Sequence, residues 1–155
     1  MSQIQSAVRS LLLPIEEATL LLPSTVVAEI VPYSEPVPPP EGVPNWLLGS
    51  LTWRELRIPL LSVDVMLTGD PTPPGRRARV AVLKALGNRP NLPYYGIVTV
   101  QLPHLVTIAE GAIEPLDDGA GSNPMVAAEV LANGEPALIP NVDLIEMQLY
   151  RALIG

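Results

Sequence analysis

His104 is the only histidine in this 155-residue sequence, and no cysteine accompanies it. It is the one side chain whose ordinary pKa suits acid–base work near neutral pH. A Ser-His-Asp arrangement would have to run through His104, with Ser62 or Ser24 as nucleophile. No Gly-x-Ser-x-Gly elbow presents either serine on a strained strand-to-helix turn. His104 follows Pro103 in an apolar segment and reads as an ordinary buried or half-buried histidine; a small hydrolase using His104 is the rival reading. Metal chemistry has little to work with. One imidazole and no thiolate leave carboxylates, and the adjacent pairs Glu16-Glu17 and Asp117-Asp118 point to opposite faces of an extended chain. Neither pair has EF-hand spacing. Gly119-Ala120-Gly121 opens no helix carrying a lysine, and Lys84 is the sole lysine, which argues against a phosphate loop. The sequence therefore predicts no catalytic residue, no metal and no cofactor.

Binding chemistry fares better. The formal net charge of −7 argues against nucleic acid, which needs a basic footprint to displace counterions. It also opposes an anionic membrane surface. Arg76, Arg77 and Arg79 form a basic group with Lys84 and Arg89 nearby; a solvated strand face is the preferred reading, and an acidic patch on a partner is the alternative. Trp46, Trp53 and Arg54 lie together in the sequence around Gly49. Tryptophan and arginine dominate the energetics of protein interfaces. With aromatics at only 4% of the chain, one of the two tryptophans is expected in the core instead.

These residues need a scaffold. Apolar residues make up 48% of the chain and phenylalanine is absent, so the core must be aliphatic. Branched aliphatic side chains favour strands. Leu11–Pro14 and Thr19–Leu22 read as short strands joined at Glu16-Glu17. Ser24 is placed to cap a short helix running to Val31. Six prolines between Pro32 and Pro44 make that stretch an ordered connector, since each fixes φ and removes a donor. A strand is expected at Arg57–Leu60, then a helix from Val63 to Leu67 capped by Ser62 and ended by Gly69. Period-two patterning predicts strands at Arg77–Lys84 and Tyr95–Gln101. Leu105–Ile108, Met125–Leu131 and Pro136–Ile139 follow, with Asn133-Gly134 as a hairpin turn. Asn141 caps a last helix with an apolar stripe at Val142, Ile145, Leu149 and Ala152. The uncharged run Pro90–Ala109 is long enough to span a bilayer, but Pro93, Gly96 and Pro103 break it into strand and turn. With neither a leader-like N-terminus nor a membrane span, a cytoplasmic location without direct membrane insertion is expected.

Ile58-Pro59-Leu60-Leu61-Ser62-Val63-Asp64-Val65 is echoed by Leu138-Ile139-Pro140-Asn141-Val142-Asp143-Leu144, a strand, a capping residue and a helix start in each case. The echo divides the chain into halves of about 1–75 and 76–155. Many short strands with turns between them suggest paired small β-barrels.

Pro44, Gly49, Arg54 and Pro59 stand at the spacing of a segment carried by CheW-like domains, which reads loosely Pro-x-x-x-x-Gly-x-x-x-x-Arg-Gly-x-x-x-Pro-Val-x-Asp-Leu. Just upstream, Val27-Ala28-Glu29-Ile30 resembles the family's Val-x-Glu-Ile, followed here too by a Pro-rich connector. The chain is similar to this family over nearly its whole length. Glu55 departs from it, standing where the family usually has glycine. Ser62 and Asn141 replace frequent aspartates and remain good caps. The resemblance implies a single domain of 155 residues, mainly β, made of two intertwined five-stranded SH3-like barrels with short helices and a C-terminal helix. It implies a non-catalytic adaptor that joins the cytoplasmic tip of a chemoreceptor to the regulatory domain of a CheA-type histidine kinase. It places Val27 and Arg54, with Glu29, near the receptor groove; Trp46 and Trp53 complete the expected partner-binding set. The chain resembles a divergent member, close in character to the ChpC-like and PilI-like adaptors of pilus-linked chemosensory systems, hence of twitching motility. A stand-alone SH3-like or inhibitory module with one partner is the other non-enzymatic reading.

Overall fold

The computed structural model describes residues 7–71, 73–109, 111–116 and 123–154. Eleven strands and two helices follow one another in these residues. The first half runs β1 (Ala7–Pro14), β2 (Thr19–Pro23), β3 (Val27–Pro32), β4 (Leu47–Trp53), β5 (Leu56–Leu61) and α1 (Val63–Thr68). The second runs β6 (Arg79–Lys84), β7 (Tyr94–Thr99), β8 (His104–Ala109), β9 (Ile113–Pro115), β10 (Val126–Ala132), β11 (Glu135–Pro140) and α2 (Val142–Ile154).

Two sheets form. One has the order β8-β1-β2-β11-β10-β9, the other β3-β6-β7-β5-β4. Each takes strands from early and late in the chain, so the two barrels are intertwined. In both, the pairings from the first strand to the fifth run antiparallel, antiparallel, parallel, antiparallel. The parallel contacts, Leu60 opposite Gly96 and Leu138 opposite Leu20, join a strand to one distant in sequence. Gly96 allows close packing at the first of these: a Cβ there would lie 2.7 Å from a methyl of Val80.

The aliphatic core divides into three. Trp53, Ile58, Leu60, Val80 and Val82 fill the five-stranded barrel. Leu21, Ile108, Val130, Ala132 and Ala137 fill the six-stranded one. Between the barrels lies a larger cluster including Leu13, Leu20, Leu22, Leu61, Ala81, Leu83, Tyr95 and Ile97, closed by Ile145 and Leu149 of α2. A strand shared by two cores must be apolar on both faces. This is why β6 alternates between cores rather than between core and water: Val80 and Val82 face one cluster, Ala81 and Leu83 the other.

The caps form as the sequence predicts. Ser62 Oγ accepts from the Val65 amide at 3.2 Å, and Asn141 Oδ1 from the Leu144 amide at 3.1 Å. Gly69 ends α1 in the left-handed region at φ 82°. Asn133 and Gly134 turn the β10–β11 hairpin with φ of 51° and 81°. One expectation is overturned. The predicted helix from Ser24 to Val31 is a single 3-10 turn at Ser24–Val26 followed by β3. Ser24 makes no cap, and Val27, Ile30 and Val31 are β-branched residues with an open neighbour in β6. β4, left unassigned by sequence, pairs with β5 in a hairpin. The Asp117-Asp118 pair and Gly119-Ala120-Gly121 lie outside the described residues.

Candidate partner-binding site at the barrel seam

β3 and β4 are the outermost strands of the five-stranded sheet, and as it curls into a barrel their side chains meet. Trp53 is the last residue of β4 and is 8% exposed. Its indole Nε1–H donates to Glu29 Oε1 on β3 at 2.9 Å. A buried indole N–H needs such a partner, because an unmet donor forfeits its hydration. The Trp53 ring also leans on Tyr94 of β7, with centroids 4.8 Å apart at 56°.

Arg54 and Glu55 form the turn between β4 and β5 with φ of 48° and 66°. Two positive φ values in a two-residue hairpin loop match the twist of the flanking strands. Glycine or asparagine adopts them at little cost; Arg and Glu each give up on the order of 1 kcal/mol or more. The turn thus demands at position 55 the geometry glycine supplies best. It also folds Arg54 back over Trp53. The guanidinium carbon sits 4.7 Å from the indole centroid, and Nη2 donates to the same Glu29 oxygen at 3.3 Å. Arg54 remains 66% exposed and Glu29 43%, so the ion pair itself adds little stability. Its effect is positional: a flat cation is held over an aromatic face at the surface. Leu56, next to the turn, is 41% exposed and adds an apolar neighbour.

Of the five expected site residues, Glu29, Trp53 and Arg54 are therefore together. Val27 begins β3 on the far side of a bulge from Glu29, opposite Leu83, and packs half-buried on the inter-barrel core. Trp46 does not join the group. It precedes β4 while Trp53 ends it, a separation of roughly 20 Å along an extended strand. Trp46 packs against the inter-barrel core, and its carbonyl accepts from the Ser62 amide at 2.9 Å.

His104 is exposed at the start of β8, not buried or half-buried as expected, because its neighbour Pro103 takes the inward position. The Ser62 hydroxyl is engaged as a helix cap. The Glu16-Glu17 pair contributes backbone rather than ligands: both amides donate to the Asp64 carboxylate, at 2.9 and 2.8 Å. Arg89 separates from the other arginines and is drawn to α2, 3.6 Å from Glu146 and 3.8 Å from Asp143. Among the described residues no group of acidic or histidine side chains could hold a metal ion, and no helix is long and apolar enough to cross a membrane.

Sequence reasoning missed Glu146. It is 1% exposed on the apolar face of α2. Its carboxylate accepts from the amides of Leu86 at 3.0 Å and Gly87 at 2.9 Å, and from the Tyr95 hydroxyl at 3.1 Å. The set ties the C-terminal helix to the β6–β7 turn. Burial, and then the Glu146 charge, push the Tyr95 hydroxyl far above its ordinary pKa, so it stays a donor. At Gly87 an added Cβ would displace the end of the Arg89 side chain and sit 3.2 Å from Glu146 Oε1. The signal was legible, since Glu146 falls on the helical stripe between Val142 and Leu149.

Two interlaced SH3-like barrels display an aromatic–arginine group at a surface seam, side-chain types that favour protein contacts. The CheW-like domain model matches residues 9–148, and the chain belongs to the CheW-like family. The same architecture is found in the scaffolding protein TtCheW from Thermoanaerobacter tengcongensis. The two share 16% identity at a TM-score of 0.73, over 92% of this chain and 89% of that one. No curated protein sequence matches the chain. As a member of a family of non-catalytic scaffolds, it is a chemosensory scaffold and not an enzyme.

Proposed function

We propose that this chain is the coupling adaptor of a chemosensory array, holding the cytoplasmic tip of a chemoreceptor beside the regulatory domain of a CheA-type histidine kinase. Family membership across residues 9–148 supports the class of partner. The observation that favours a contact at the seam is Arg54, exposed yet held by Glu29 and the Trp53 ring. An arginine already fixed in place loses little entropy on binding and presents a planar fork to carboxylates or carbonyls. Leu56 supplies apolar area beside it, and Val27, on the same strand as Glu29, stays in the proposed receptor-binding set. An adaptor works by mass action: two weak partners are kept at high effective concentration and in one relative orientation. Interfaces of about 1,200 Å² or less suffice for that.

The reading extends to a single domain whose halves, about 1–75 and 76–155, repeat one strand–helix plan, and to a cytoplasmic location. It extends also to a place among the ChpC-like and PilI-like adaptors that serve twitching motility. The test is co-purification of the kinase and receptor with the wild-type chain and with Arg54→Glu. We expect the variant to lose at least one partner while its circular dichroism is unchanged. Undiminished recovery of both would refute the seam as the contact. Binding of receptor and kinase in turn but never together would favour a single-partner module instead.

A further inference from the structure

Arg76, Arg77 and Arg79 are three of only nine basic residues in a chain of net charge −7, and they fall within four positions. Among the described residues, ion pairs hold Arg54 and Arg89 but none of these three. Arg79 is nonetheless fixed. Its Nη1 donates to the carbonyls of Arg77 at 2.9 Å and Ala78 at 3.0 Å, leaving other guanidinium N–H groups directed elsewhere.

Arg77 and Arg79 line one wall of a cleft of about 350 Å³; Gln101, Leu102 and His104 line the rest. Gln101 and Leu102 belong to the crossing from β7 in one sheet to β8 in the other, so the cleft touches both barrels. That crossing is anchored. The hydroxyl of Thr99, fully buried, donates to the Gln101 carbonyl at 2.8 Å. Leu102 is left 55% exposed beside the arginines. Among the described residues no carboxylate lines the cleft. The neighbouring cleft that shares Arg77 contains Glu16 and Asp64, so its own charge is already offset.

We propose that this cleft docks an acidic, extended segment of a partner protein, with carboxylates on Arg77 and Arg79 and an apolar side chain on Leu102. Arginine forks recognise carboxylates with two parallel hydrogen bonds, and an exposed leucine in the same cleft favours a segment that mixes acidic and apolar residues. A nucleic acid is disfavoured, because three arginines neutralise few phosphates. The proposal does not rest on the adaptor reading, since the cleft shares no residue with the Glu29–Trp53–Arg54 group.

The probe is a fluorescein-labelled peptide of Asp, Glu and Leu, compared by anisotropy with its Asn/Gln counterpart on the full chain. The acidic peptide should bind about tenfold or more tighter, a difference of about 1.4 kcal/mol, and weaken as salt is raised. The double variant Arg77→Glu/Arg79→Glu should lose that preference. Arg76→Glu/Arg77→Glu, at two exposed positions, should also weaken it should the first variant misfold. Arg57→Glu, a basic residue of β5, should bind as wild type. Equal binding of the two peptides would overturn the proposal. So would a loss as large in Arg57→Glu, or a single-stranded oligonucleotide that binds more tightly than the peptide.

Discussion

Glu29 and Trp53 sit on opposite outer strands of one sheet, and a 2.9 Å hydrogen bond from indole to carboxylate joins them across the barrel seam. The bond couples fold and surface. The same carboxylate oxygen that satisfies the buried indole also receives Arg54. One acidic residue thus helps close the barrel and aims the exposed cation. The other barrel has a lighter bridge, from Asn133 Nδ2 to the Thr107 carbonyl at 3.4 Å.

Replacing Glu29 separates its two roles. Glu29→Ala should cost about 1–3 kcal/mol, because the Trp53 N–H loses its acceptor. Glu29→Gln keeps an acceptor and should cost less than about 1 kcal/mol, since the exposed ion pair is worth little. Urea denaturation of both variants checks this; equal losses would show that the indole bond does not hold the seam.

The strained turn gives a prediction of opposite sign. Glu55→Gly relieves a side chain at φ 66° and should stabilise the fold by about 1 kcal/mol, the usual cost of a non-glycine residue in that region. For a chain of this size that is an upward shift in Tm of about 2–4 °C. An unchanged or lower Tm by calorimetry would count against the turn geometry.

Glu146 should be the most sensitive position outside the aliphatic core. Glu146→Ala leaves the Leu86 and Gly87 amides and Arg89 without their buried partner. A loss of about 3–5 kcal/mol is expected, as for other broken buried charge pairs. Tyr95→Phe removes one hydrogen bond to the same carboxylate and should cost about 0.5–1.5 kcal/mol. Gly87→Ala should cost less than Glu146→Ala, because the Arg89 side chain can swing away from the added Cβ at the expense of its contact with Glu146. Chemical denaturation midpoints of the three variants rank these effects.

Alkaline pH tests the same cluster. Tyr95 has its hydroxyl raised well above 10.0, mainly by burial and then by the Glu146 carboxylate. The unfolded tyrosine ionises near its ordinary value while the folded one keeps its proton. The associated stability is therefore fully present below pH 10 and is lost as pH rises above it. Tyr95→Phe should flatten that part of the stability profile; an identical alkaline slope in wild type and variant would exclude Tyr95 as its source.

Much of the local structure was legible because it depends on near neighbours. Ser62, Asn141 and Gly69 cap and end helices through bonds within four residues, and Asn133-Gly134 turns a hairpin by its own backbone preference. The family pattern at Pro44, Gly49, Arg54 and Pro59 pointed to the two-barrel fold. Three matters depended on partners distant in the chain. Residues Val27–Val31 became a strand because β6 lay open beside them, overriding a helix start at Ser24. Trp46 and Trp53, near in sequence, were parted by the extended length of β4. Glu146 stands on the apolar stripe of its helix, but its partners Leu86, Gly87 and Tyr95, over fifty positions earlier, converge on it only in the folded chain. Composition and spacing determined an aliphatic β scaffold with arginine and tryptophan available for binding. Which of them share a surface was decided only when the sheet edges met, since curvature and strand order arise from the packing of the whole chain.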